Sequence, residues 1–138
     1  MQLALEEALK GKTNTYPNPR VGAIVVANKE VVSSGYHHHY GGPHAEAVAI
    51  SKLKGTYTDA TLFVTLEPCA MCFGAMIHAR IERVVFGTSD PKTGVCGSCI
   101  DLNKENFFNH KISVKGGVLD IECSKLLKLF FKSKRNIK

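Results

Sequence analysis

Two short segments carry the residue types and spacing that metal-assisted hydrolysis needs. His44-Ala45-Glu46 offers an imidazole and a carboxylate, and Pro68-Cys69-Ala70-Met71-Cys72 offers two thiols three positions apart. A hydrolytic zinc site takes three nitrogen or sulfur ligands and leaves a fourth position to water. His44, Cys69 and Cys72 make up such a set, with one Zn2+ expected per chain. Residues three apart on a helix share a face, so the two thiols can hold one ion between them. Glu46 is then spare as a ligand and well placed to move protons, the part a general acid–base group plays.

A second Cys-x-x-Cys, Cys96 and Cys99, supports a competing arrangement. With 23 residues between the pairs, the four thiols have the spacing of a structural four-cysteine zinc site. Such pairs usually sit in glycine-bearing knuckles, whereas Cys69 and Cys72 open a stretch rich in alanine and methionine. Cys96 and Cys99 are therefore read as unligated thiols. Cys123, in a helical pattern, is read as a small buried hydrophobe.

Elements that could present these groups follow from periodicity and breakers. Helical spacing from Leu3 to Leu9 ends at Gly11, and prolines 17 and 19 force a loop. Segments 21–26 and 31–34 flank Asn28-Lys29 as a strand pair. A loop rich in glycine and histidine runs over 35–43, followed by a helix over 44–53. Strand 60–66 leads into a helix over 69–78. Strand 83–87, a turn at 90–94, strand 112–115 and a helix over 119–131 complete the order β–β–α–β–α–β–loop–β–α. This alternation implies one α/β domain spanning 1–138, a three-layer α/β/α sandwich around a central mixed five-stranded sheet. Both ligand segments then stand at helix N-termini, where the helix dipole favours thiolates. On the 69–78 helix, Phe73, Met76 and Ile77 beside Gly74 and Ala75 suggest an exposed surface for a second copy of the chain.

Composition narrows the setting. The chain has 138 residues, 44% apolar and 22% charged, within the ordinary globular range. Its longest apolar run, 21–27, is far too short to span a bilayer. Glu6 and Glu7 stand where a secretory signal would carry bases, so the expectation is a cytoplasmic protein with no membrane association. The net charge of +6 is confined to one end: residues 1–124 hold all 12 acids and 12 of the 18 bases. Lys125, Lys128, Lys132, Lys134, Arg135 and Lys138 make up the excess. A basic end on a neutral body suits a polyanion, although basic residues also suit the C-terminus of a helix.

His-x-Glu followed by Pro-Cys-x-x-Cys is the known signature of zinc deaminases. From about residue 60 onward the chain resembles the cytidine-deaminase-like superfamily in its tRNA adenosine deaminase branch. The likeness rests on Thr65-Leu66-Glu67-Pro68-Cys69-Ala70-Met71-Cys72, Arg83-Val84-Val85-Phe86-Gly87, Asp90-Pro91-Lys92-Thr93-Gly94, Asn109-His110 and Gly117-Val118-Leu119. The resemblance implies hydrolytic conversion of the wobble adenosine of tRNA to inosine, an anticodon loop as partner, and a homodimer. It also sets Phe131 near a flipped nucleotide, and the basic segment around it, with Lys128, Lys132, Lys134 and Arg135, offers the cations that phosphates need. Taken alone, the Phe130-Phe131 pair would read as packing.

The first half looks different. Pro17-Asn18-Pro19-Arg20-Val21-Gly22, Gly35-Tyr36-His37 and Gly41-Gly42-Pro43-His44-Ala45-Glu46 are more similar to the deaminase domain of the bifunctional riboflavin-biosynthesis enzyme. That enzyme acts on a small pyrimidine nucleotide. Asn18 is a candidate hydrogen-bond partner for a base or ribose, its alternative being an Asx turn. His37 stands where the tRNA enzymes carry a substrate-contacting Asn. It could instead belong, with His38 and His39, to a solvated loop or an adventitious metal site. A zinc-stabilised RNA-binding module is the non-enzymatic alternative, and it would have no need of Glu46.

Overall fold

A computed structural model describes residues 1–11, 15–106 and 108–135, excepting the side chains of 133–135. The first hairpin joins β1 (Gly22–Ala27) to β2 (Glu30–Tyr36). Asn28 and Lys29 turn it with φ of 55° and 64°, the paired left-handed residues of a type I′ turn. Strand β2 runs two residues further than the 31–34 pattern indicates, because Gly35 and Tyr36 pair with Ala23 and Gly22. The glycine that reads as a strand breaker is there for a close approach. A Cβ at Gly35 would lie 2.5 Å from the carbonyl oxygen of Ala45, so helix α2 (Ala45–Ser51) rests directly on the β2 backbone. Ser33 Oγ donates to the Ala49 carbonyl at 2.8 Å and Lys52 Nζ to that of Ser34 at 2.9 Å, fastening α2 to this strand.

Next come β3 (Thr61–Leu66), α3 (Ala70–His78), β4 (Arg83–Thr88), a 3-10 turn at Leu102–Lys104, β5 (Ser113–Lys115) and α4 (Asp120–Arg135), with α1 (Gln2–Leu9) preceding β1. The strands form one sheet in the order β2-β1-β3-β4-β5. β1 is antiparallel to both of its neighbours, while β3, β4 and β5 run parallel. Helices α1 and α4 cover one face of the sheet, α2 and α3 the other. This is the expected three-layer α/β/α sandwich around a five-stranded mixed sheet.

The core lies between the sheet and α3, and here one expectation is overturned. Phe73, Met76 and Ile77 face inward, buried with Leu62, Val64 and Val84. Because α3 is apolar on nearly every side, its pattern could not show which stripe meets the sheet. The large apolar side chain that α3 leaves in solvent is Met71, 62% exposed. In the opposite layer Cys123 is buried as expected. A Cβ at Gly87 of β4 would fall 2.2 Å from its sulfur, which shows how closely α4 sits on the sheet. Among the described residues no helix is long and apolar enough to cross a membrane.

Candidate functional site

His44 and Cys69 are the N-cap residues of α2 and α3, both with extended backbone, and neither side chain caps its own helix. Serine, threonine, aspartate or asparagine would be the stabilising choice at such positions. Prolines 43 and 68 precede the two caps and hold the chain extended before each helix begins. The fold gives up two capping bonds and gains side chains free to point at one another.

They converge. Nδ1 of His44 lies 3.7 Å from Cys69 Sγ and 3.5 Å from Cys72 Sγ, and the three ligand atoms fall within 4.8 Å of one another. Tetrahedral zinc with bonds of about 2.0–2.1 Å to nitrogen and 2.3 Å to sulfur spaces those ligands about 3.5 Å apart. The observed separations match the edge of that tetrahedron. Among the described residues this is the one group of three or more His, Cys, Asp or Glu side chains that could hold a metal.

One of the three ligand groups, Cys69, already favours its negative form. Its hydrogen bond with Cys72, aided by His44, brings the Cys69 thiol down to about 4. The Cys72 thiol, left holding the shared proton and buried, is pushed up. The Cys69 sulfur in turn raises the His44 imidazole above its ordinary value. Metal binding displaces such protons.

Glu46, in the first turn of α2, is 4% exposed. Burial pushes its carboxyl up to about 7, into the range where a carboxyl both takes and returns protons near neutral pH. His44, Cys69 and Glu46 form one wall of a cavity of about 700 Å3, whose other walls include Asn18, His37, Asp90–Thr93, Leu127 and Phe131. Cys72 lies behind Cys69, fully buried.

The remaining candidates separate. Asn18 makes no Asx turn with its side chain; its Nδ2 donates to His37 Nε2 at 3.3 Å. His37 is buried, unlike the exposed His38 and His39, and its Nδ1 donates to the Pro43 carbonyl at 2.9 Å. The solvated-loop and adventitious-metal readings of His37 are thereby corrected: the ring links the Asn18 loop to the residue preceding His44. Phe131 lines the cavity, while Phe130 is buried under Arg20 and Tyr16. Lys132 is exposed on α4 and lies outside the cavity wall. The side chains of Lys134 and Arg135 lie outside the described residues.

The four-cysteine arrangement does not form. Cys96 is buried, its thiol pushed up to about 12 by that burial and by the nearby Glu67 and Asp101, and Cys99 is exposed. Sequence reasoning missed Glu67, Leu127 and the Asp90–Thr93 wall. The available signal for Glu67 was an acid at a strand end amid apolar residues, immediately before Pro68.

Comparison with known proteins agrees with the geometry. Residues 1–88 match the cytidine and deoxycytidylate deaminase zinc-binding region. Over 99% of its length the chain is 38% identical to the tRNA-specific adenosine deaminase of Bacillus subtilis strain 168, covering 92% of that protein. It is 41% identical to the riboflavin biosynthesis protein RibD of Aquifex aeolicus over 95% of the chain, yet spans only 37% of that longer protein. A solved structure from work on A-to-I editing by tRNA:A34 deaminases aligns with a TM-score of 0.79 at 29% identity, over 92% of this chain and 97% of that one. Motif, ligand geometry and kinship thus converge, and the chain belongs to the zinc-dependent cytidine and deoxycytidylate deaminase family.

Proposed function

We propose that this deaminase converts the wobble adenosine of a tRNA to inosine. The observation that carries the reading is the place of α4: Phe131 and Leu127 wall the cavity that His44, Cys69 and Glu46 line, on the helix that also bears five of the six bases of the excess, Lys125 to Arg135. A flipped base gains an aromatic wall there, and the flanking phosphates meet Lys128, Lys132 and the basic residues beyond. The near end-to-end match to a tRNA-specific enzyme supports it. His44, Cys69 and Cys72 would hold a zinc ion, which when bound would supply a water of lowered pKa. Glu46 takes one proton from the attacking water and delivers it to the ring nitrogen beside the attacked carbon, then takes a second from the added hydroxyl and delivers it to the amino group, which leaves as ammonia. Asn18, its amide oriented by His37, is left with its carbonyl oxygen for a base or ribose donor. Such an enzyme works in the cytoplasm, where tRNA is, and we assign it a homodimer, expected as a dimeric mass by light scattering at micromolar concentration. A monomeric mass would remove that assignment.

The test is ammonia release from an anticodon stem-loop, compared with free nucleosides and pyrimidine nucleotides. The stem-loop should be preferred. Lys132→Gln, Lys134→Gln and Arg135→Gln together should lower the salt dependence of RNA binding by about 0.7–0.9 in slope per lost phosphate contact, leaving zinc content unchanged. The second reading, a small pyrimidine nucleotide, is favoured by the Asn18–His37 pair and the riboflavin-like first half. It gains if the triple variant deaminates as well as the parent, or if the parent ignores stem-loops.

A further inference from the structure

The mechanism uses one of two buried glutamates beside the cavity and leaves the other, Glu67, without a role. Glu67 ends the link from β3 to the metal-ligand segment and is 3% exposed. Neither ion pair among the described residues involves it. Its partners come instead from a loop some 23 to 31 residues further on. Oε1 accepts from the Asp90 amide at 3.1 Å and from the Ser98 hydroxyl, while Oε2 accepts from the amides of Cys96 at 2.9 Å and Ser98 at 3.2 Å.

A carboxylate has about four lone-pair directions, and here each oxygen already serves two donors. That leaves Glu67 no acceptor capacity for a substrate proton or a metal ion, so it cannot stand in for Glu46. The loop closes tightly around it: a Cβ at Gly94 would come within 2.5 Å of the carboxyl group. The backbone joins the same junction, with Glu67 N donating to the Thr88 carbonyl at 2.9 Å and Val95 N to that of Pro68 at 3.0 Å. The loop's first stretch, Asp90–Thr93, is the cavity wall beside the candidate zinc ligands.

We propose that Glu67 is a positioning residue that fixes the distance between the substrate-facing wall, Asp90–Thr93, and the metal-ligand segment beginning at Cys69. The inference rests on the deaminase reading for what the wall does, and on geometry alone for what holds it. Losing this tie loosens substrate binding and leaves the chemical step in place.

Glu67→Gln keeps the shape but sets an NH2 group against two of the four donors. Ser98→Ala removes one donor at an exposed position far along the chain from the zinc ligands, and it carries the test should Glu67→Gln not fold. For each variant, zinc per chain, amide exchange at Asp90 and Cys96, and kcat and KM on the stem-loop are measured. Expected for Glu67→Gln are one zinc per chain, at least tenfold faster exchange at both amides, and KM raised tenfold or more with kcat within threefold of the parent. Ser98→Ala should shift exchange and KM in the same direction by a smaller factor. Unchanged exchange in both variants overturns the proposal, as does a fall in zinc content or in kcat with KM unmoved. Exchange and zinc content are read without substrate, so if the parent fails to deaminate stem-loops the tRNA reading falls while Glu67 is still judged by those two measurements.

Discussion

Glu46→Gln is expected to lower turnover by about a thousandfold or more while the protein keeps one zinc per chain and its parental melting temperature. General acid–base groups contribute about two to four decades, and Glu46 is asked to serve more than one proton transfer, which sets the estimate at the upper part of that range. Glutamine is the right substitution because the side chain is nearly fully buried. Alanine would open a void and mix a packing defect with the chemical one. Single-turnover ammonia release, with metal analysis on the same sample, checks the result. Activity within tenfold of the parent would show that Glu46 is not the shuttle.

The second large effect is loss of metal. Cys72→Ala removes a ligand from the floor of the site, where the sulfur is wholly enclosed by protein. Two ligands remain, and zinc should fall well below one per chain, with activity down to about one per cent or less of the parent. Stability should follow, because a ligand present at about a thousand times its dissociation constant stabilises the native state by about 4 kcal/mol. For a domain of this size that corresponds to a melting temperature lower by about 10 °C or more. A chelator supplies the control: it should bring the parent down to the variant's melting temperature and leave the variant unmoved. Full zinc occupancy in Cys72→Ala would place the metal elsewhere.

The candidate zinc ligands and Glu46 were legible because their signal is local. His44-Ala45-Glu46 and Cys69-x-x-Cys72 each lie within one helical turn, and a proline announces each helix start. The sandwich was legible for a similar reason, since strands and helices alternate with clear breaks. What depends on contacts across the chain was not. Glu67 makes its four bonds with residues 90 to 98, and nothing in its own neighbourhood names them. The inward face of α3 was hidden by its uniformly apolar surface, so Phe73, Met76 and Ile77 read as a docking surface when they are core. His37 was picked out by resemblance as a substrate contact, with a solvated loop or an adventitious metal site left open beside it. Its bonds to Asn18 and the Pro43 carbonyl, made across the chain, are what separate it from the two exposed histidines beside it.

The sheet divides the cavity's walls between two layers of the sandwich. His44, Glu46 and Cys69 come from the α2–α3 side, where α2 is locked to β2 at Gly35, while Leu127 and Phe131 come from α4 on the other side. The metal-ligand segments and the α4 part of the cavity wall are thus built from separate stretches of chain on opposite faces of the sheet. A substitution on α4 can reshape the opening without shifting a ligand atom, and one on α2 or α3 can disable the metal without changing the outline the substrate meets. On the proposed reading, a change of the last helix alters what the cavity admits while the metal ligands stay as they are.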